Sequence, residues 1–491
     1  MNHPAPTVET PGSATGLSDH KRDVCTHANE VADTRDRWIE RNSAYYADDQ
    51  RYMRFLIPEG SRVIELGSGT GQLLASLKPS RGVGIDISPK MIARAQQNYP
   101  ELQFVEADIE DAAAIADLGE TFDAVIVSDT VGWMEDIAAG FEAMQTLCNA
   151  DTRIVIAYYS KLWEPLLKIG SALGLRMPQG RRLNWLGTSD IENMLEAADY
   201  EVIKREWRQL VPRNMFGLGR LINRFIAPLP IIRRFCLRYY LVARSRRAQQ
   251  PAPKSVTVVV PARNERGNVE PLVQRLPEFG KSLEIMFVEG NSNDGTAAEV
   301  ERVIAAYSNR NIRLLQQEGR GKADAVWKGF DNATGEILMI LDADMTVIPE
   351  DMPKFYDMIT SGKAEFVNGS RLVYPMEPEA MRLLNFLANR TFSRIFSYLL
   401  NERFTDTLCG TKVLSRENYA RLRDGRSYFG DFDPFGDYDL IFGAAKLNLK
   451  IAEVPVRYAA RLYGETQISR FRDGWQLLCM IVFAFRKLKA L

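Results

Sequence analysis

Histidine is almost missing from this chain of 491 residues, which contains only His3, His20 and His27. All three fall in a polar segment ahead of the first apolar run, so we expect the folded part of the chain to contain none. This distribution excludes a Ser-His-Asp triad, an HExxH zinc site and a histidine general base. Any catalysis must therefore use carboxylates, backbone groups and cofactors.

Cysteine is also scarce, and long apolar runs are lacking. The five cysteines are odd in number, scattered and never spaced as CxxC, which excludes a disulfide framework and a zinc ribbon: Cys25, Cys148, Cys236, Cys409 and Cys479. The longest apolar run, 477–485, is far shorter than the roughly 20 residues that a spanning helix needs. The first residues show no apolar signal-peptide core, so the sequence predicts a cytoplasmic protein.

Acidic residues are missing from one stretch, although the whole chain is balanced at a net charge of -1 and so gives no indication of nucleic-acid binding. Between Trp207 and Asn264 there are twelve basic residues and no Asp or Glu. Bulky apolar residues alternate with the arginines there, as they do with basic residues in 476–491. Such segments are typical of helices that lie on anionic lipid, so we expect peripheral contact with the inner face of the cytoplasmic membrane. The alternative is that the apolar faces pack on a neighbouring domain.

Short apolar runs alternate with helical patterns twice along the chain, which predicts two parallel sheets flanked by helices. The predicted fold class is α/β, with two doubly wound Rossmann-like domains. We expect a disordered tail at 1–35, a first domain at 36–210 and a second at 254–475. A basic amphipathic connector at 211–253 would join them, and an amphipathic helix would follow at 476–491.

A glycine-rich turn, Gly67–Gly71, follows the first predicted strand, and Glu65 stands just ahead of it. Glycines there let the backbone approach a ligand at the carboxyl end of the sheet. A dinucleotide fingerprint would need another glycine where Gln72 stands. The next strand ends at Asp86, where an acid can accept ribose hydroxyls, and the following two end near Asp108 and Ser128.

This ordered set resembles class I S-adenosylmethionine-dependent methyltransferases over about residues 40–210. The resemblance implies that the glycine loop faces the methionine part of the cofactor, that Asp86 holds the ribose and that Asp108 and Ile109 flank the adenine. The candidate S-adenosylmethionine-binding residues are Glu65, Gly67, Ser68, Gly69, Gly71, Asp86, Ile87, Asp108, Ile109 and Ser128. Contacts to the methyl acceptor are expected from Asp129, Tyr158 or Tyr159, although tyrosines beside a strand can equally belong to the core.

Polar residues also follow the strands of the second series. The first strand ends in Pro261–Glu265, the second in Glu289–Thr296, and an apolar strand is followed by Asp342-Ala343-Asp344. Two carboxylates at i and i+2 would repel each other unless a cation lay between them. Hard oxygen ligands suit Mg²⁺ or Mn²⁺, with phosphates completing the shell. Asp342 and Asp344 are therefore the predicted metal ligands.

These motifs resemble family 2 glycosyltransferases of the GT-A fold, most nearly the dolichol-phosphate mannose synthase type, over about 255–475. The resemblance implies a nucleotide sugar as donor and a glycan or lipid-linked acceptor. The candidate donor-binding residues are Pro261, Ala262, Asn264, Glu265, Glu289, Lys322, Asp342, Ala343, Asp344 and Arg371.

Family 2 enzymes usually invert the anomeric carbon, with a carboxylate accepting the proton of the acceptor. The family's acidic position corresponds to Asp439, with Asp437 two residues earlier. A phosphate acceptor is already ionised and would need no base. The sequence departs from the family where Glu289-Gly290 replaces the usual acidic pair, which alters the contact to the nucleobase. The segment 464–467 also lacks the lysine of the family's late motif, which places a lipid-phosphate acceptor in doubt.

The sequence therefore predicts a bifunctional enzyme that uses S-adenosylmethionine, a nucleotide sugar and Mg²⁺ or Mn²⁺. One alternative is a glycosyltransferase whose first half only binds S-adenosylmethionine for regulation. The other is a membrane-associated scaffold in which both pockets are vestigial. Turnover of the methyl donor distinguishes the first alternative, and failure to bind either cofactor would favour the second.

Overall fold

The computed structural model describes residues 17–177, 180, 182–374, 383–429, 438–458, 463 and 470–491, with the side chains of 383–387 and 470–474 left aside. The chain divides into two compact units. The first comprises the chain up to Val202 together with Gln209–Gly219 and Phe235–Leu241. The second comprises Ile203–Arg208, Arg220–Arg234 and the chain from Val242 onward.

The first half of the chain forms a seven-stranded sheet of order β3-β2-β1-β4-β5-β7-β6. Its strands are β1 Arg62–Leu66, β2 Arg81–Asp86, β3 Gln103–Glu106, β4 Ala124–Ser128, β5 Arg153–Tyr159, β6 Tyr200–Arg208 and β7 Arg238–Ser245. The helices are α1 Asp19–Arg41, α2 Ser43–Leu56, α3 Gln72–Ser76, α4 Pro89–Asn98, α5 Ala112–Ala116, α6 Ile137–Ala143, α7 Glu164–Ala172, α8 Thr188–Ala197 and α9 Leu218–Leu221.

Parallel pairing in this sheet joins β1 to both β2 and β4, β2 to β3 and β4 to β5. The central strands are almost continuously apolar and buried, as expected where helices cover both faces of a parallel sheet. The carboxyl ends of β1, β2 and β4 therefore lie side by side, and the glycine turn, Asp86 and Ser128 meet at one edge.

The prediction of a disordered tail through residue 35 is wrong from Asp19 onward, because α1 is a helix of 23 residues. Ser18 caps it by accepting a hydrogen bond from the Lys21 backbone N–H. The helix is strongly polar, but Ala32 and Ile39 on one face are buried. Packing of that face against the domain stabilises a helix whose composition resembles that of a disordered segment.

The predicted connector 211–253 is also partly wrong, because it contains β7. All eight residues of β7 are buried, including Arg238 and Arg244, and the strand pairs within the first sheet. The two arginines made this segment look exposed in the sequence, because a charged side chain is rarely buried without a partner. The partners of Arg238 come from distant parts of the chain, as described below.

The second half forms another seven-stranded sheet, of order β10-β9-β8-β11-β13-β12-β14. Its strands are β8 Val256–Ala262, β9 Leu283–Glu289, β10 Asn311–Gln316, β11 Ile337–Ile340, β12 Phe366–Ser370, β13 Lys412–Ser415 and β14 Ile451–Pro455. The helices are α10 Arg266–Arg275, α11 Thr296–Ala306, α12 Gly321–Asn332, α13 Met352–Thr360, α14 Leu383–Leu400, α15 Arg416–Asp424, α16 Tyr438–Lys446 and α17 Arg470–Ala484.

The second sheet is mixed, since β13 runs antiparallel to β11 and β12 while the other pairs are parallel. The predicted α/β class with two sheet domains is confirmed. The C-terminal helix begins at Arg470, six residues earlier than predicted, and its last turn at Phe485–Lys489 is a π-helix. Among the residues described above, none of the helices combines the length and apolar character needed to cross a bilayer.

Candidate functional sites

A cavity opens at the carboxyl edge of the first sheet. Its lining includes seven of the ten residues predicted to bind S-adenosylmethionine: Gly67, Gly69, Asp86, Ile87, Asp108, Ile109 and Ser128. The remaining three, Glu65, Ser68 and Gly71, lie outside the lining. Glu65 is buried and accepts a hydrogen bond from the Leu74 backbone N–H at 3.1 Å. It therefore shapes the start of α3 behind the glycine turn.

The glycine turn requires its glycines. Gly67 and Gly69 have φ of 79° and 53°, which side chains at these positions would strain. A Cβ at Gly69 would also lie 2.8 Å from Arg35 Nε. The Asp86 carboxylate accepts the Gly69 N–H at 2.9 Å and the Ser88 N–H at 2.9 Å. Burial raises the pKa of Asp86, and these two N–H groups oppose that effect.

Helix α1 forms a wall of this cavity, which the sequence did not indicate. It contributes Lys21, Val24, His27, Ala28, Val31 and Arg35, all on one face of the helix. Lys21 Nζ donates to Asp108 Oδ2 at 2.6 Å and so anchors the helix to the end of β3. Two features of the sequence indicate this helix: the Ser18 cap and the spacing of Val24, Ala28 and Val31. The many polar residues around them make that apolar spacing hard to recognise.

The expectation that the folded part contains no histidine is wrong as well. His27 lines the cavity, and its ring stacks on Trp133 with 5.5 Å between the centroids. Its Nε2 and the Nε of Arg35 are buried, and neither has a hydrogen-bond partner among the described residues. Such polar groups usually find a partner, so two donors or acceptors on the cavity wall are available to a bound molecule.

A buried arginine organises the acceptor side of the cavity. Arg238 on β7 donates from Nε to Asp49 at 2.8 Å and from NH1 to both oxygens of Asp129, at 2.7 and 2.9 Å. It also donates to Ser128 Oγ and to Tyr45 Oη. Asp129 lines the cavity with φ of 58°, a conformation that the ion pair holds in place. Sequence reasoning missed Arg238 because its partners are more than 100 residues away in the chain.

Tyr158 and Tyr159 have different roles. Tyr159 lines the cavity, with the Arg176 guanidinium 5.1 Å from its ring centroid. Tyr158 is fully buried and donates its hydroxyl to the Asn184 carbonyl, so it belongs to the core. The alternation of side chains along β5 separates the two residues.

Burial raises the pKa of Glu65 to about 8, which makes the stability of the first unit depend on pH. A carboxyl whose pKa is higher in the folded state contributes stability at low pH and loses it as pH rises toward that value. We expect Glu65→Gln to remove this loss, because a neutral amide can still accept the Leu74 N–H. The gain in unfolding free energy over wild type should grow from pH 5 to 8, by at most about 1.4 kcal/mol per pH unit.

Chemical denaturation across this pH range measures that difference. Glu59→Gln is the matched control, because Glu59 is exposed and forms a surface ion pair with Lys78. A difference between Glu65→Gln and wild type that stays constant with pH would contradict the burial argument.

In the second unit, the loops after β8 and β9 bind each other. Asn264 donates its backbone N–H to Ser292 Oγ at 2.9 Å and accepts the Asn293 N–H on its side chain at 2.9 Å. The Glu265 N–H is donated to Thr296 Oγ1 at 3.0 Å. The predicted donor-binding segment Pro261–Glu265 is therefore fixed against the end of β9.

The two predicted metal ligands follow β11. Lys322, at the start of α12, lies with its Nζ 2.6 Å from Asp342 Oδ1. Burial opposes ionisation of Asp342, but the Lys322 ammonium keeps its pKa below the usual range. Asp344 Oδ1 accepts the Thr346 N–H at 3.1 Å and its hydroxyl at 2.8 Å. A Cβ at Gly410 would come within 2.0 Å of Asp342 and 2.3 Å of Lys322, so Gly410 belongs to this site although the sequence did not single it out.

The donor set of this site fits a divalent cation bound together with a diphosphate. Within the described ranges, no group of three or more His, Cys, Asp or Glu side chains could hold a metal alone. Two carboxylates with substrate phosphates form the arrangement that Mg²⁺ commonly adopts. Asp342 and Asp344 are the two carboxylates that would take this part.

Arg371, which the sequence predicts as a phosphate contact, forms a buried ion pair with Asp406, and its role toward phosphate stays a prediction. Its Nε and NH2 donate to the two oxygens of Asp406 at 2.6 and 2.9 Å, and Asn389 donates to the same carboxylate. Asp406 is fully buried, and the Arg371 guanidinium contributes to holding its pKa down to about 2 against the effect of burial. The pair organises the loop before β13, and sequence reasoning missed Asp406.

Of the two predicted catalytic carboxylates, Asp439 belongs to the described residues and Asp437 does not. Asp439 lies in the first turn of α16, is buried, and has its Oδ2 3.3 Å from Arg426 Nε. The Arg426 guanidinium in turn lies over the ring of Trp327 on α12. Asp437 and the segment 464–467 fall outside the described residues.

Comparison with known proteins gives one family match in each half of the chain. A methyltransferase domain model matches residues 38–205, and a glycosyl transferase family 2 model matches residues 257–422. The chain is 27% identical over 226 residues to glycosyltransferase AglJ of Haloferax volcanii, covering 46% of this chain and 70% of that protein. It is 38% identical over 109 residues to dolichol-phosphate mannosyltransferase of Saccharomyces cerevisiae, covering 21% of this chain and 40% of that protein.

Among solved structures, an S-adenosylmethionine-dependent methyltransferase of Thermotoga maritima aligns with a TM-score of 0.35 and 12% identity, over 45% of this chain and 99% of that chain. The two family matches confirm both resemblances predicted from the motifs.

Proposed function

We propose that this chain, which carries a methyltransferase domain and a family 2 glycosyltransferase domain, transfers a methyl group from S-adenosylmethionine and a glycosyl group from a nucleotide sugar. Both reactions would serve the synthesis of a glycan, a glycolipid or a polyprenyl-phosphate sugar. The supporting observation is that each sheet gathers polar groups at its carboxyl edge: the glycine turn with Asp86 in the first unit, and Lys322 with Asp342 in the second.

In the first unit, the residues of the cavity position the methyl donor. S-adenosylmethionine supplies an electrophilic methyl group on a sulfonium sulfur, so orientation can provide much of the acceleration. Gly67 and Gly69 allow its methionine part to approach the backbone, and Asp86 accepts the ribose hydroxyls. The Arg35 Nε–H, which has no partner among the described residues, is a donor for the methionine carboxylate.

Asp129 positions the methyl acceptor in this proposal and does not act as its base. Both of its oxygens accept hydrogen bonds from Arg238 NH1, so they are already engaged within the protein and hold the side chain in one orientation. Tyr159, also on the cavity wall, contacts the same acceptor in this proposal.

In the second unit, Asp342 and Asp344 would hold Mg²⁺ or Mn²⁺, which would supply positive charge to the donor diphosphate. Lys322 exchanges its contact with Asp342 for the diphosphate, since both are anions within reach of one flexible ammonium. Asp439, with Asp437, accepts the proton of a hydroxyl acceptor, and the anomeric carbon is inverted. An ionised phosphate acceptor would dispense with that step.

We also propose that the second unit binds the inner face of the cytoplasmic membrane. Within this unit, Arg224 donates to the Ala490 carbonyl at 3.0 Å, so the basic segment lies against the C-terminal end of the chain. Trp475, Leu478 and Val482 are exposed on one face of α17, at 69%, 50% and 60%. Leu221, Phe225 and Ile231 are exposed in the basic segment. This mixture of apolar and basic groups suits an anionic lipid surface.

We expect Leu478→Glu combined with Val482→Glu to reduce binding to vesicles of phosphatidylcholine and phosphatidylglycerol by at least about tenfold, because two carboxylates would oppose insertion and anionic lipid. Sedimentation with the vesicles measures the bound fraction. Val373→Glu is the control, since Val373 is a 53% exposed apolar residue outside these segments. Equal vesicle binding by the double variant and wild type would overturn the membrane assignment.

The proposed function is tested by incubating the protein with Mn²⁺ and a panel of UDP-, GDP- and dTDP-sugars, with and without polyprenyl phosphate. A parallel assay with methyl-labelled S-adenosylmethionine and the glycosylated product follows methyl transfer. Metal-dependent consumption of one sugar donor, with label appearing in the product, supports both activities. Binding of S-adenosylmethionine without methyl turnover would favour a regulatory first half, and failure to bind either donor would favour a scaffold.

A further inference from the structure

The carboxylate at the end of β9 already accepts three hydrogen bonds from the protein. Glu289 Oε1 accepts the Ser292 N–H at 2.5 Å, and Oε2 accepts the Asn291 N–H at 3.1 Å and Gln316 Nε2 at 2.6 Å. The residue is only 2% exposed. Its hydrogen-bonding capacity is therefore spent on folding the loop after β9, and little remains for a nucleobase.

The next position, Gly290, leaves a space that another residue fills. A Cβ at Gly290 would lie 3.0 Å from Gln317 Oε1. Gln317 follows β10, and its backbone N–H donates to the Glu289 carbonyl at 2.8 Å. The Gly290 N–H donates to the Ala262 carbonyl at 2.9 Å, so the ends of β8, β9 and β10 converge on Gln317.

The orientation of the Gln317 amide is fixed. Its Nε2 donates to the Gly321 carbonyl at 2.7 Å, and only the nitrogen of the amide can make this bond. Oε1 is therefore the atom directed toward Gly290. Among the described residues no donor reaches Oε1, even though Gln317 is buried, with only 7% of its surface exposed. The strand ends thus present one neutral, pre-oriented acceptor beside the donor-binding segment 261–265.

We propose that Gln317 Oε1 accepts the ring N–H of the donor's nucleobase and selects a uracil or thymine nucleotide. Uracil and thymine offer one N–H at N3, which matches a single acceptor. Cytosine presents a lone pair at N3, which would face the oxygen unfavourably. Guanine offers two adjacent donors, of which one would be left without a partner. This inference rests on the proposed function, since it assigns the base of the nucleotide sugar in that same site.

Binding of UDP, dTDP, CDP and GDP in the presence of Mn²⁺, measured by calorimetry, tests the assignment. We expect wild type to bind UDP and dTDP at least about tenfold more tightly than CDP and GDP, the discrimination that one well-placed hydrogen bond provides. Gln317→Leu should lower UDP affinity about tenfold and leave CDP affinity nearly unchanged.

Glu318→Gln is the matched control, because Glu318 is the adjacent residue and its side chain is 88% exposed. Tighter binding of CDP or GDP than UDP by wild type would overturn the inference, and so would equal losses of UDP and CDP affinity in Gln317→Leu. Wild-type protein that binds none of the four nucleotides would instead overturn the proposed glycosyl transfer. A preserved unfolding temperature in each variant excludes misfolding as the cause.

Discussion

Asp344→Ala is expected to abolish metal-dependent consumption of the nucleotide sugar, with a loss of at least about 1,000-fold in kcat/KM. Asp344 is one of two carboxylates at the end of β11. Alanine would leave the cation with one carboxylate, so the cation would bind weakly and Lys322 would compensate most of the diphosphate charge. The change also removes the acceptor of the Thr346 N–H and hydroxyl. Turnover is measured as release of the nucleoside diphosphate while Mn²⁺ is titrated.

Asp357→Ala provides the comparison for this variant, because Asp357 is an exposed carboxylate on α13 of the same unit. It should retain wild-type activity. Chelation of the metal with EDTA should reproduce the loss in wild type and have no further effect on Asp344→Ala. Activity of Asp344→Ala within about tenfold of wild type, or insensitivity of wild type to EDTA, would contradict a metal role for the two carboxylates.

Ala28→Trp is expected to weaken binding of S-adenosylhomocysteine by at least about 100-fold, because the indole would occupy the cavity that α1 closes. Ala28 lines that cavity between Val24 and Val31, where the small side chain leaves room for a ligand. Calorimetric titration with S-adenosylhomocysteine measures the affinity. An unfolding transition unchanged from wild type shows that the first unit of the variant is folded.

Glu30→Trp tests whether the loss of binding comes from filling the cavity or from placing a tryptophan on the helix. Glu30 is exposed on the same helix and is not among the lining residues, so this variant should bind S-adenosylhomocysteine as wild type does. If Ala28→Trp also bound normally, α1 would not be a wall of the methyl-donor site, and the role proposed for Arg35 would fall with it.

Much of both sites could be predicted from the sequence because their residues are tied to strand ends. Gly67, Asp86 and Asp108 each follow a different parallel strand, and parallel strands bring such residues to one edge whatever the rest of the fold does. The same reasoning placed Asp342 and Asp344 after β11. Local order along the chain is sufficient where a functional residue directly follows its strand.

The resemblance of each half to a transferase family could also be predicted from the sequence, because the motifs that carry it stand at successive strand ends. The family matches at 38–205 and 257–422 fall within the two domains predicted from alternating apolar runs. The sequence therefore determined the two-domain α/β organisation, the two transferase families and the residues at the strand ends.

Only the tertiary structure decided which distant side chains complete the sites. Helix α1 looks disordered by composition, and packing of one face onto the first domain makes it a cavity wall with Lys21 against Asp108. Arg238 looks like a surface charge, but Asp49 and Asp129 compensate its burial in a strand. Gln317 gains its role because a glycine leaves space beside it. In each case, the deciding free energy comes from partners far away in the chain, whose proximity no local pattern contains.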